Sequence, residues 1–209
     1  MPRRQPTSLV CSARTGAPRA ACWNWALALA AWLWSLRAAD TTCSASTADA
    51  TRFRAEQRFD AVIACFHVLN YMATPQALAA AFTTASAHLE PGGLFLFDSW
   101  HGPAVRAQGP ETRVRDLVVE GKPVVRIAEP HHDPARQTVD VRYRFFIQSP
   151  PTKAWELIEE THHLRYLFRE DIVAACHDAG FELVRDEAWL SGAPLDDQTW
   201  GACYVARRI

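Results

Sequence analysis

An excess of charge of either sign is the first thing this chain lacks: 22 lysines and arginines stand against 23 aspartates and glutamates, a net charge of −1. A nucleic-acid binder meets phosphates with a basic surface, so the composition offers no electrostatic case for one. Paired cysteines are missing as well. The six cysteines, at 11, 22, 43, 65, 176 and 203, form no CxxC pair and no metal-ligand spacing. That is the pattern of reduced thiols in a cytoplasmic protein. His131-His132-Asp133 and His162-His163 lack the i, i+4 spacing that sets two ligands on one helix face, so they read as loop and surface histidines and no metal is expected. No apolar run reaches the about 20 residues that a membrane span needs.

What is present is 49% hydrophobic and 22% charged over 209 residues, enough for one globular domain with a sizeable core. The even balance hides an asymmetry, because the first 39 residues carry five arginines and no acid. The two parts are different kinds of sequence.

The most informative stretch runs from Arg58 to His101 and reads as strand, helix, strand. Ala61 to Phe66 is a short apolar run, β-branched in part, of the kind buried on both faces of a sheet. A helix follows, capped by Thr74 with Pro75 at its first position; Leu78, Ala79, Phe82, Ala85 and Leu89 recur at helical spacing until Pro91-Gly92-Gly93 stops it. Leu94 to Phe97 is the second strand. Polar groups gather at both strand ends: His67, Asn70 and Tyr71 after the first, Asp98, Ser99, Trp100 and His101 after the second. An open α/β sheet keeps its ligand at that edge.

The order FDAVIACFHVLNY, helix, HLEPGGLFLFD resembles the fourth strand, following helix and fifth strand of class I S-adenosylmethionine-dependent methyltransferases. The helix Arg169 to Ala179 closed by Gly180, then GFELVRDEAWL and TWGACYVARR, resembles the antiparallel pair that ends such a sheet. The likeness covers about Ala48 to Ile209 and is nearest to small-molecule, amino-sugar N-methylating enzymes. It implies a Rossmann-like α/β fold, N-terminally incomplete, with an antiparallel β insertion over residues 112–167 before the last helix and a terminal β-hairpin. Residues 1–47 then form an aberrant, poorly ordered segment and residues 48–209 the methyltransferase-like domain. The implied cofactor is S-adenosyl-L-methionine and the implied partner a small-molecule substrate, with a homodimer open, and with neither nucleic acid nor membrane unless residues 21–36 are a true anchor.

Site residues follow from the same likeness. Asp49 and Ala50 resemble the family's GDA segment, in which the acid meets the adenine amino group. Cys65, Phe66 and His67 close the fourth strand and are expected to pack the cofactor. His67, Asp98 and His101 are the candidate catalytic groups, His67 as base or hydrogen-bond partner and Asp98 as the group that orients substrate or accepts a proton. Tyr71 and Trp100 are expected to wall the substrate. Methyl transfer from a sulfonium is an in-line displacement, so the protein has to hold donor and nucleophile collinear and dry, with a base where the nucleophile is protonated.

The family also needs a glycine-rich turn after its first strand, and none occurs in frame before Asp60. In its place stands Ala21 to Leu36, ACWNWALALAAWLWSL, with a basic start, an apolar core and small residues near Ala38-Ala39. One reading is a signal peptide or anchor. The genetic code permits another. Cys22-Trp23-Asn24-Trp25-Ala26 must be encoded TGY TGG AAY TGG GCN, and from the third base this reads Leu-Glu-Leu-Gly whatever synonymous codons are used. With CTN leucines the continuation permits alternating Ala or Thr and Gly, the family's glycine-rich motif. The segment then is the cofactor loop in the wrong frame. Only 18 residues separate Ala30 from Asp49, so a deletion or gene-model error must accompany the shift. A chain built as written is expected to bind S-adenosylmethionine weakly or not at all.

Within the insertion, VRDLVVEGKPVVRIAE reads as a hairpin turning at Glu120-Gly121-Lys122, and TVDVRYRFFIQ sets Val139, Val141, Tyr143, Phe145 and Ile147 on one face. Its arginines and glutamates read as a solvated face. Two other functions stay open beside methyl transfer to an amine or hydroxyl: a noncatalytic remnant or dimerisation module, and a nicotinamide oxidoreductase, which the terminal antiparallel pair argues against.

Overall fold

The computed structural model of the protein describes residues 50–52, 54, 58–148 and 154–209. The boundary expected at residue 47, the frame-shifted segment and Asp49 lie outside them. Strand β1 (Phe59–Ala64) leads through a 3-10 turn, Val68–Tyr71, to helix α1 (Pro75–Ala87), strand β2 (Leu89–Trp100) and helix α2 (Gly102–Gln108). Four strands follow, β3 (Arg113–Val119), β4 (Lys122–Asp133), β5 (Thr138–Gln148) and β6 (Trp155–Arg165), then helix α3 (Arg169–Asp178) and strands β7 (Phe181–Ala188) and β8 (Gly201–Arg208).

These elements form two sheets. The first has the order β1-β2-β8-β7, with β1 and β2 parallel and β8 antiparallel to both β2 and β7. The second is the antiparallel meander β3-β4-β5-β6, so the Rossmann-like sheet and the inserted sheet expected from the sequence are both present. The local signals act as anticipated. Thr74 Oγ1 accepts the Ala77 N–H at 3.1 Å, Pro75 opens α1, and Glu120 and Gly121 both take positive φ, 51° and 75°, in the β3–β4 turn. Two left-handed residues match the twist of the flanking strands, which is why a glycine stands there.

Two cores hold the layers. Under the first sheet, Phe82 of α1 meets Phe95 and Phe97 of β2 edge-on, with ring centroids 5.3 and 5.2 Å apart, and Phe181 closes the cluster. Each such ring contributes about 1.5–3 kcal/mol by leaving water. The second core, Val105, Val139, Val141, Leu164 and Tyr166, seals the inner face of the second sheet against α2 and the end of β2. Polar stitching sits at the seam. Asn70 is fully buried, gives its Nδ2–H to the Arg165 carbonyl at 2.7 Å and accepts the Trp100 N–H at 3.1 Å. Among the described residues no helix is long and apolar enough to cross a membrane.

Three features differ from expectation. The helix ends at Ala87, and β2 runs from Leu89 to Trp100, taking in Pro91-Gly92-Gly93 at a register shift in its pairing with β1 and carrying Asp98 and Ser99 inside the strand. The first strand stops at Ala64, because Phe66 and His67 take φ of 65° and 61°; a left-handed pair cannot continue a ladder. Helix α2 was not anticipated, since Gly102-Pro103 reads as a turn in sequence. In the fold Pro103 lies in the first turn of that helix, and Gly102 fits only because it has no side chain: a Cβ there would lie 2.8 Å from the Phe168 ring.

Candidate active site

The carboxyl end of β1 is where the backbone departs from ordinary conformations. Phe66 and His67 are consecutive non-glycine residues in the left-handed region, a conformation that costs of order 1–3 kcal/mol per residue and clusters at ligand sites. What holds His67 there is Asp98, delivered by the neighbouring parallel strand. The His67 N–H donates to Asp98 Oδ1 at 2.9 Å, and His67 Nδ1 lies 3.0 Å from Asp98 Oδ2. Asp98 is 1% exposed while the His67 side chain is 36% exposed. The carboxylate is a buried anchor and the imidazole faces outward. Phe66, 85% exposed, presents its ring beside them.

Gly201, paired with Trp100 across β2 and β8, makes room for this arrangement. A Cβ at 201 would approach the Trp189 side chain to 3.3 Å and His67 Cε1 to 3.9 Å. Cys65 and Cys203 lie nearby, and burial, reinforced by Asp98, pushes both thiols up to about 12. They are inert packing groups at neutral pH.

A line of aromatic rings leads from His67 to the inserted sheet. His67 and Trp100 have centroids 6.2 Å apart, and Trp100 and Trp200 5.8 Å apart. On the same side, Tyr71 Oη lies 2.5 Å from His162 Nδ1, and His162 Nε2 lies 3.3 Å from Glu160 Oε2. Tyr143 packs edge-on against His162 at 4.9 Å. Burial raises the Tyr71 hydroxyl above its ordinary value, with Tyr143 and Glu160 adding to it, so it stays protonated in its hydrogen bond with His162 Nδ1. The polar role of Tyr71 exceeds the apolar wall expected of it, while Trp100 occupies the wall position.

Of the three catalytic candidates, the fold brings His67 and Asp98 together and sets His101 apart. His101 lies past the end of β2, at the N-cap of α2, and the charged groups that act on it are Asp186, Asp196 and Glu170. There it is 5% exposed, its Nδ1 has no hydrogen-bond partner, and burial lowers its pKa against the pull of Asp186, Asp196 and Glu170. Ala50 lies away from the His67 pair, in an apolar groove with Ile63, Leu69, Ala81 and Phe95 along β1 and α1.

Sequence reasoning missed His162, Tyr143 and the arginines Arg113, Arg115 and Arg126. The last three line one pocket with Trp100, Trp200 and Tyr143; Arg113 and Arg115 are exposed, in keeping with the expected solvated face, and Arg126 is half-buried. The signal was the strand period: Arg113 and Arg115 are two apart, as are Arg126 and Ala128, and register brings them to one face. His132, read as a surface histidine, lies 3.3 Å from the Tyr166 hydroxyl.

Comparison with known proteins supplies the lineage. The profile of a family described as a methyltransferase domain matches residues 22–186. A curated dTDP-3-amino-3,4,6-trideoxy-alpha-D-glucopyranose N,N-dimethyltransferase of Streptomyces venezuelae is 27% identical over 148 residues, 70% of this chain and 60% of the relative, so the chain spans well under two thirds of that protein. Among solved structures, an S-adenosylmethionine-dependent methyltransferase from Clostridium acetobutylicum superposes with a TM-score of 0.67 at 18% identity, covering 86% of this chain and 70% of the other. A sugar N-methyltransferase from Streptoalloteichus gives 0.63 at 22% identity over 78% of this chain and 61% of its own. The matched family profile makes the chain a member of the methyltransferase-domain family, and its superposition on these structures gives it the α/β fold of S-adenosylmethionine-dependent methyltransferases.

Proposed function

We propose that the protein transfers the methyl group of S-adenosylmethionine to a nitrogen or oxygen of a small molecule, an amino sugar being the acceptor its curated relative suggests. The observation that carries this reading is the two-point hold of Asp98 on His67 beside a left-handed strand end. The residues present suit the cofactor. An exposed aromatic ring, Phe66, and a buried carboxylate, Asp98, are groups that attract a sulfonium cation. Cys65, Phe66 and His67 would flank it, with Asp49 and Ala50 as candidates for the adenine end.

The cofactor, when bound, supplies an electrophilic methyl. Everything else is the work of this chain. Trp100 and Tyr71, which pack against the core of the inserted sheet, exclude water and fix the acceptor. His67 is the base that takes the proton of an amine or hydroxyl acceptor, and Asp98 orients the imidazole through contacts to both its ring and its backbone. Tyr71, His162 and Glu160 form a second polar line that can hold an acceptor hydroxyl. Homodimerisation through the inserted sheet and a cytoplasmic location belong to the same reading.

One competing reading, a noncatalytic remnant, draws on the absence of an in-frame glycine-rich turn in the sequence before Asp60. Calorimetric titration of the full chain with S-adenosylmethionine, followed by transfer of labelled methyl to a nucleotide-linked amino sugar, separates the two. Micromolar binding with transfer that falls in His67→Ala supports the enzyme. Binding absent at millimolar cofactor supports the remnant and sinks the enzyme reading for this chain.

A further inference from the structure

Across strands β3 and β4, Arg115 stands directly opposite Arg126, and Arg113, two residues along, stands on the same face. Like charges in direct cross-strand register destabilise a sheet. Nothing within the described fold offsets this pair: neither Arg113, Arg115 nor Arg126 has a carboxylate within ion-pair distance among the described residues, although Arg142 and Arg144 on the other face of β5 are paired to Glu159 and Glu129. Arg126 stacks over the Tyr143 ring at 5.8 Å, and its Nε is buried with no hydrogen-bond partner.

All three arginines line a cavity of about 150 Å³ with Trp100, Trp200, Tyr143 and a single acid, Glu111. In a chain of net charge −1 this is a local concentration of positive charge, with Arg113 and Arg115 exposed along β3 and Arg126 half-buried against Tyr143, and such a concentration attracts anions. The volume is below the roughly 300–1,000 Å³ of a whole-ligand site, and so it suits one part of a ligand. Trp100 is shared with the His67 end, so the two regions adjoin.

We infer that this cavity is an oxyanion subsite, in which Arg113, Arg115 and Arg126 hold a phosphoryl or carboxylate group of the methyl acceptor and thereby set its reacting atom toward His67. The inference rests on the proposed methyl transfer for the word acceptor, but not for the binding itself. Guanidinium forks pair with phosphate or carboxylate through two parallel hydrogen bonds, and an anion between Arg115 and Arg126 turns their repulsion into a clamp.

The test is calorimetry on the full chain at low salt, with inorganic pyrophosphate and malonate as the two probes. Pyrophosphate binding that weakens about tenfold or more in Arg115→Gln and Arg126→Gln, as expected for loss of one charge-assisted contact, and is unchanged in Arg142→Gln on the outer face, supports the subsite and assigns it to phosphoryl groups. The same pattern with malonate alone supports it and assigns it to carboxylates. Equal weakening in Arg142→Gln, or no binding of either probe at millimolar concentration, overturns it. Because removing one like charge relieves repulsion, Arg115→Gln is also expected to melt no lower than the parent, which guards against a folding artefact. Cofactor titration in parallel keeps the two readings apart: a chain that binds pyrophosphate at these arginines but shows no binding of millimolar S-adenosylmethionine overturns the methyl-transfer reading and leaves the subsite standing.

Discussion

Asp98 grips His67 twice, through the backbone N–H at 2.9 Å and the ring Nδ1 at 3.0 Å, from a position that is itself 1% exposed. The second contact needs a carboxylate, whereas the first needs only an acceptor. Asp98→Asn keeps a carbonyl for the N–H and loses the charge; Asp98→Ala loses both and leaves a backbone donor in a partly buried site. The alanine variant is therefore expected to lose about 1–3 kcal/mol of stability and the asparagine variant less, while both impair methyl transfer. Guanidinium denaturation beside an activity assay checks the ordering; equal stability losses would show that the backbone contact contributes nothing.

Asn70 stitches the two sheets together, and both of its partners are backbone groups. Asn70→Ala orphans the Trp100 N–H and the Arg165 carbonyl at once. At about 1–3 kcal/mol for each buried unsatisfied group, a loss of about 2–6 kcal/mol is expected. Hydrogen exchange should speed up at the end of β2 and at Arg165 before it does so in the phenylalanine core. Uniform acceleration across the chain would contradict a local seam.

Much of this was legible in sequence, and the limits have physical causes. Strand, helix and strand between Phe59 and Trp100 could be read because Thr74, Pro75 and a regular apolar period mark the helix, although Pro91-Gly92-Gly93 falls inside β2 and not in a turn before it. His67 and Asp98 could be read because one follows β1 and the other lies near the end of β2, and the two strands pair in parallel. The pairing of Tyr71 with His162 could not, since 91 residues separate them and only the docking of one sheet on the other joins them. His101 could not be separated from Asp98 in sequence, because the helix that starts right after it reads there as a Gly102-Pro103 turn. The strand period, combined with register, is what gathers Arg113, Arg115 and Arg126.

Tyr71 is hydrogen-bonded to His162, whose other nitrogen faces Glu160. Tyr71→Phe preserves the ring and removes only the hydroxyl. If this line holds the acceptor, kcat/KM for the acceptor falls about tenfold, a transition-state loss near 1.4 kcal/mol, while KM for the cofactor stays put. Because burial raises the Tyr71 pKa above its ordinary value, the parent's acceptor kcat/KM should show no loss from phenolate formation up to about pH 10, the usual phenol value. A change confined to cofactor KM would place Tyr71 in the wrong half of the site.

Gly102 opens α2 with Phe168 ring atoms 2.8–2.9 Å from where a Cβ would stand. Overpacking of this kind costs about 1–3 kcal/mol, and the Phe168 ring also takes part in the aromatic contact with Tyr166 behind the second sheet. Gly102→Ala is expected to lower the denaturation midpoint by that amount, and Gly102→Ala combined with Phe168→Leu to recover part of it. A double variant no better than the sum of the two singles would rule out the ring as the obstacle.

His101 carries the pH dependence that the fold predicts most directly. Its folded pKa is lowered, chiefly by burial, from an unfolded value near 6.5. Below about pH 6.5 the unfolded chain takes up a proton that the folded one refuses, so the unfolded state binds more protons and stability rises with pH across that window. Acidification from pH 6.5 toward the folded value therefore destabilises the protein. Asp186, Asp196 and Glu170 oppose the shift and keep it from growing larger. His132 is lowered in the same direction by its own burial, so His101→Gln should flatten the slope of stability between pH 7.5 and 5.5 without abolishing it. Denaturant midpoints at those two pH values measure the slope, and a variant with the parent's full acid sensitivity would show that His101 is not the group responsible.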